Sequence, residues 1–241
     1  MRHPQSWCAA PWLIAAAVLV TAVPPCSRAE PVGSPAGVLK KGQWLFGLST
    51  DNVLGRGAKG SGNPSIGLYQ VGHYRGYGVT NWLSLFAKVG WAYLRVSDEQ
   101  AENQANTFGS NLMVGGGVNA RVWRNAKYDW EWDASAQYVW IGAPHRRTRS
   151  QGQWQEWQFA TTTAKSFGRL KPYAGMKISL VQFDYNLRRA GKGTQKGSYK
   201  PDGFLGPVLG ADYAVREDTV VNVESSYVNG AEVTIGVART F

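Results

Sequence analysis

Residues 128 to 140 read YDWEWDASAQYVW, a run of strict alternation. Tyr128, Trp130, Trp132, Ala134, Ala136, Tyr138 and Trp140 share one parity, and Asp129, Glu131, Asp133, Ser135 and Gln137 share the other. Successive side chains of a β-strand point to opposite faces, so this strand has one apolar face and one charged face. The aromatics gather at its two ends with alanines between them. A strand crossing a bilayer has that pattern, with an aromatic girdle at each interface. Such a strand cannot stand alone in lipid, where every backbone group needs a partner; a closed barrel supplies them.

Other runs follow the same rule. Leu83, Leu85, Ala87, Val89, Trp91 and Tyr93 oppose Ser84 and Lys88, and Leu112, Val114, Val118, Ala120 and Val122 oppose Asn111, Asn119 and Arg121. Glycines 115 to 117 leave room for inward side chains or a bend. Short turn segments near residues 78–81, 124–127, 167–169 and 216–218 alternate with long polar stretches at 50–65, 97–106, 143–152 and 186–202. Short turns on one side and long loops on the other are a property of membrane barrels. The repeat of roughly 45 residues also suits a propeller, but each period holds two runs rather than four. A soluble lipocalin-like barrel would have the apolar face inward, where this many aromatics would overfill a small lumen. The fold class predicted is all-β: an antiparallel transmembrane β-barrel of ten strands, with eight as the alternative.

Domain organisation begins with residues 1–29, read as a signal peptide: Arg2, an apolar run over 9–23, and Ser27-Arg28-Ala29 as the cleavage signal. Residues 30–40 are a short lead and 41–241 the barrel. Cys8 and Cys26 both fall in the segment expected to be removed, which excludes a disulfide, a cysteine nucleophile or a thiolate metal site in the remainder. Loss of Arg2 and Arg28 lowers the formal charge from +10 to +8.

The stretch Val233-Thr234-Ile235-Gly236-Val237-Ala238-Arg239-Thr240-Phe241 alternates too. It resembles the C-terminal assembly signal of bacterial outer-membrane β-barrel proteins, with Phe241 as the terminal aromatic and Gly236 at a position that often holds glycine. Arg239 departs from the pattern, and its long stem can snorkel to headgroups. The turn and strand over residues 77–90 resemble those of the small barrels related to opacity and OmpA-like proteins. The resemblance implies the outer membrane of a Gram-negative-type bacterium. The partners it implies are the barrel assembly machinery and outer-membrane lipid including lipopolysaccharide.

Some small outer-membrane barrels are enzymes, and here the residues argue against one. Beyond the signal segment the histidines are His73 and His145. An omptin-type protease needs carboxylates beside a rim histidine, whereas His145 is flanked by Arg146 and Arg147. A lipid A deacylase needs a histidine and serine together on the lipid face, which His73-Tyr74-Arg75 does not supply. No catalytic, cofactor or metal site is predicted.

The charged constellation is inside. The alternation points Lys88, Arg121, Asp129, Glu131, Asp133, Glu156, Lys177 and Glu224 inward, with Asp212 and Glu232. They form either a lumen filled by cross-strand ion pairs or a narrow pathway preferring cations; the filled lumen is expected. Positive charge collects in the outer loops at Arg146, Arg147, Arg149, Arg188, Arg189, Lys192, Lys196 and Lys200. There it suits lipopolysaccharide phosphates or another anionic surface polymer, or else simply solvates the loops. Nucleic acid is not an expected partner for an exported barrel. The function expected is a non-enzymatic structural or surface-interaction role; a cation-preferring channel and an enzyme with an unrecognised site are the alternatives.

Overall fold

The computed structural model describes residues 34, 37–59, 65–97, 106–144, 151–189, 193–201 and 203–241. Among the described residues there are eleven antiparallel strands: β1 (Trp44–Lys59), β2 (Ser65–Gly78), β3 (Leu83–Ser97), β4 (Asn106–Asn125), β5 (Trp130–Pro144), β6 (Gln151–Lys165), β7 (Leu170–Arg189), β8 (Gly193–Pro201), β9 (Leu205–Arg216), β10 (Thr219–Tyr227) and β11 (Ala231–Thr240). Ten of them, all but β8, form a closed ring in which β11 returns to pair with β1. The ring closes tightly at its end, where the Trp44 and Phe241 backbones exchange hydrogen bonds of 3.1 and 2.9 Å.

Each wall strand alternates as its sequence does. Leu48, Leu85, Val89, Leu112, Phe159, Leu180, Leu209 and Ile235 point outward, and aromatic residues flank this apolar band. Trp44, Tyr77, Trp82, Trp130 and Phe167 stand at the short-turn end, and Tyr69, Trp91, Tyr93, Trp157 and Tyr227 toward the other. Inward lie Lys88, Asn119, Glu131, Asp133, Glu156 and Lys177. A wall apolar outside and polar inside reverses the order of a soluble barrel and matches a bilayer.

Above the band the ring changes. The first half of β7 pairs with β9 (Leu170 with Tyr213 through Ile178 with Leu205), and its second half pairs with β8 (Phe183 with Tyr199 through Arg189 with Gly193). The β10–β11 hairpin ends early, at Asn229 and Gly230, both with positive φ. In this three-residue turn, 228–230, asparagine tolerates the left-handed backbone and only glycine readily takes the φ of 145°. Over its tip β8 reaches β1, pairing Ala58 with Pro201 and Lys59 with Lys200. Ten strands below become eight above. The Asn229 side chain donates to the Gly57 carbonyl at 2.5 Å, locking the tip beneath this arch. At Gly230 a Cβ would lie 2.6 Å from the Gly55 carbonyl, so glycine is required there.

The structure corrects three expectations. Residues 50–65 are not one loop: β1 continues to Lys59, because a polar lumen makes Asp51 and Arg56 inward strand residues, and a bulge between Val53 and Arg56 bends the strand without ending it. Much of 186–202 is likewise strand, shared between β7 and β8. Asp129 is not in the lumen; it sits exposed in the β4–β5 turn at φ 54°, where a short polar side chain tolerates the left-handed backbone.

Candidate functional site

The lumen is filled in layers. At the short-turn end Ser34 and Leu39 of the lead are buried against the barrel's inner face. The Leu39 amide donates to Ser84 Oγ at 2.8 Å, and the Leu39 side chain packs with Leu45, Tyr74 and Ala238. Ser34 Oγ reaches Asp212 Oδ1 at 2.8 Å. Beside this plug stands a mouth cluster. Glu131 takes Arg121 at 3.3 Å, Arg124 at 3.4 Å and Lys171 at 3.0 Å, and Arg121 also faces Asp133 at 3.4 Å.

The middle layer is a network of buried ions. Arg56 pairs with Glu156 at 2.7 Å and Glu232 at 3.1 Å, and Lys177 pairs with the same Glu232 at 3.0 Å. Neutral donors complete the coordination: Ser179 Oγ and Gln158 Nε2 each reach Glu156 Oε1 at 2.6 Å, and Trp154 Nε1 reaches Glu156 Oε2 at 3.1 Å. Glu224 accepts the Tyr173 hydroxyl at 2.8 Å, Asn222 links Tyr173 to Asp212, and Lys88 pairs with Asp51 at 2.6 Å. Ions out of water cost several kcal/mol each unless paired and hydrogen-bonded, and here they are both. Arg56 and Asp51 enter this network from the stretch read as a loop; Asp51 keeps the parity of Ser49, whereas Arg56 reaches the same face only because of the bulge between Val53 and Arg56.

Beyond the ions comes a dry layer. Val53, Ile66, Leu68, Ala92, Leu94, Met113, Val139, Ile141, Trp154, Val181 and Phe183 pack together inside the barrel, drawn from seven consecutive strands. Trp154 and Phe183 are wholly buried, their ring centroids 6.1 Å apart. Trp154 shares its parity with Glu156 and Gln158, a signal that the sequence reading did not use.

Of the lumen residues singled out in the sequence, Lys88, Arg121, Glu131, Asp133, Glu156, Lys177 and Glu224 come together in these layers. Arg146, Arg147, Arg149, Lys192 and His145 lie outside the described residues. Arg188 and Arg189 lie on β7 and Lys196 on β8 where the two strands pair at the far end, and Lys200 is exposed on β8. His73 stands on the outward face and accepts a hydrogen bond from Arg75 Nε at 3.3 Å. Gly236 lies in β11 opposite Ser49 and Asn222, and Phe241 packs edge-on against Phe46 at 5.5 Å. Among the described residues no group of three or more His, Cys, Asp and Glu side chains is placed to hold a metal ion.

No protein-family model matches the chain, and no curated protein matches its sequence. Solved structures similar to it are outer-membrane β-barrels. The outer membrane protease OmpT from Escherichia coli is 10% identical over 83% of this chain and 96% of its own, with a TM-score of 0.46. The translocator domain of autotransporter NalP from Neisseria meningitidis is 11% identical over 84% and 89%, at 0.45. Ail, the attachment invasion locus protein of Yersinia pestis, is 8% identical over 83% and 99%, at 0.41.

Proposed function

We propose that this protein is a non-enzymatic, non-conducting outer-membrane barrel of a Gram-negative-type bacterium, with its short turns toward the periplasm. Its far-end hairpins stand at the cell surface, where arginines and lysines pair with lipopolysaccharide phosphates. The observation that carries this reading is the filled lumen: a plug, an ion network and a dry apolar layer succeed one another along the axis. Chemistry is then left to the two ends, and the far end carries a basic hairpin over residues 188–200. Guanidinium and ammonium groups match phosphate in charge and hydrogen-bond geometry.

Lipopolysaccharide titration of the purified, refolded barrel tests this reading. Replacing Arg188, Arg189, Lys192 and Lys196 together by glutamine is expected to weaken binding markedly while leaving the barrel folded. Unchanged binding would overturn the assignment. The cation-channel reading draws on the carboxylates Glu131, Asp133 and Glu224 inside, but these are engaged by neighbouring donors and cations.

A further inference from the structure

We propose that the outward rim at the short-turn end binds anionic phospholipid through two cation–aromatic clusters on opposite sides of the barrel. The inference rests on the bilayer-spanning reading of the wall. In the first cluster Phe46 of β1 lies in one cross-strand row between Arg75 of β2 and Arg239 of β11. The Arg75 guanidinium stands 5.2 Å from the Phe46 ring centre, and Arg239 stands 5.2 Å from that of Phe241. In the second, Trp130 of β5 pairs directly with Lys165 of β6. Lys165 Nζ lies 5.6 Å from the Trp130 ring centre and 5.2 Å from that of Phe167, and Lys127 lies 5.2 Å from Tyr128. In ring order β1 and β6 face each other across the lumen, so the clusters look out in opposite directions.

Charge decides the ligand. Inside the barrel, Arg56, Lys88 and Lys177 each meet a carboxylate. Outside, among the described residues, no carboxylate stands within ion-pair distance of Arg75 or Lys165. Arg239 differs, pairing with Asp218 at 2.6 Å. The aromatic face holds each cation by its ring quadrupole and places it in the girdle, the depth of lipid headgroups. A guanidinium or ammonium held there, with donors left over, is complementary to a phosphodiester. Phosphatidylglycerol has that group and a net negative charge; phosphatidylcholine has the phosphate but cancels it.

The test is native mass spectrometry of the full mature chain released from nanodiscs containing equal phosphatidylglycerol and phosphatidylcholine with matched acyl chains. The protein is expected to retain phosphatidylglycerol preferentially. Arg75→Gln and Lys165→Gln should each lower that retention about twofold, and the double variant should abolish the preference. Arg95→Gln, an exposed cation toward the far end of β3, should leave it intact. Heat-modifiable gel migration verifies folding; if Arg75→Gln does not fold, Lys165→Gln reads the second cluster alone, with Lys165→Arg restoring it. Equal retention of the two lipids, or an equal loss in Arg95→Gln, would overturn the proposal. Failure to insert into the nanodisc would instead refute the membrane reading beneath it.

Discussion

Arg56 Nη1 donates to Glu156 Oε1 at 2.7 Å across the lumen, from β1 to the facing strand β6, with both side chains 2% exposed. An ion pair that ties opposite walls together reports directly on whether the interior is packed. Arg56→Met takes from buried Glu156 its cationic partner and leaves Glu232 to Lys177 alone, and removing one partner of a buried pair costs about 3–5 kcal/mol. Urea titration in lipid vesicles should show that loss, with much of it recovered when Glu156→Gln is added. A change below about 1 kcal/mol would mean that water reaches the pair.

The outward face has its own test. Ala136 lies between Val118 and Phe159 on the band, two residues from Ala134 and Tyr138. Ala136→Arg is expected to cost about 2–4 kcal/mol of folding stability, the penalty of a cation near the bilayer midplane. Ala136→Leu should be close to neutral. Equal effects in the same titration would show the faces to be reversed.

The dry layer, rather than the charges, is expected to hold the barrel shut. Trp154→Ala removes a fully buried indole and should cost about 3–5 kcal/mol. Single-channel recording should detect current only when this layer is opened, as in Trp154→Ala combined with Phe183→Ala. Neutralising Glu131 and Asp133 alone should leave the barrel silent.

At the short-turn end, Asp218 accepts the Thr219 hydroxyl at 2.8 Å and Arg239 Nε at 2.6 Å. Thr219 above all, with Arg239, holds its carboxyl below the usual carboxylate value of 3.8. A lowered native pKa gives stability that is present above the unfolded pKa and lost as pH falls through the folded one. The group is exposed, so the effect is small. Asp218→Asn should flatten the acid limb of the urea-midpoint profile and leave neutral pH nearly unchanged.

The wall was legible because its alternation is carried by strongly contrasting residues: in β5, tryptophan and tyrosine against aspartate and glutamate. The turns were legible from Asn81, Asn125 and Gly168 between such runs. Residues 50–59 were not. Asp51, Asn52, Gly55 and Gly57 have the composition of a loop, yet a polar lumen accepts that composition on a strand's inner face. The dry layer escaped for the converse reason: Trp154 and Phe183 have the composition of a girdle, and only their parity with Glu156 and Val181 assigns them inward. The lead's plug has no periodic signal, since its hold on the barrel is a few hydrogen bonds and one leucine. The β8 arch depends on how early the β10–β11 hairpin turns, a relation between distant segments that local pattern does not carry.

Planar-bilayer conductance of the purified, lipid-refolded protein under a salt gradient tests the sealed lumen most directly. A folded barrel that passes no steady current, and begins to conduct when Trp154 and Phe183 are both truncated, is the predicted result. Stable cation-selective steps from the unaltered protein, diminished by Glu131→Gln and Asp133→Asn, would contradict it.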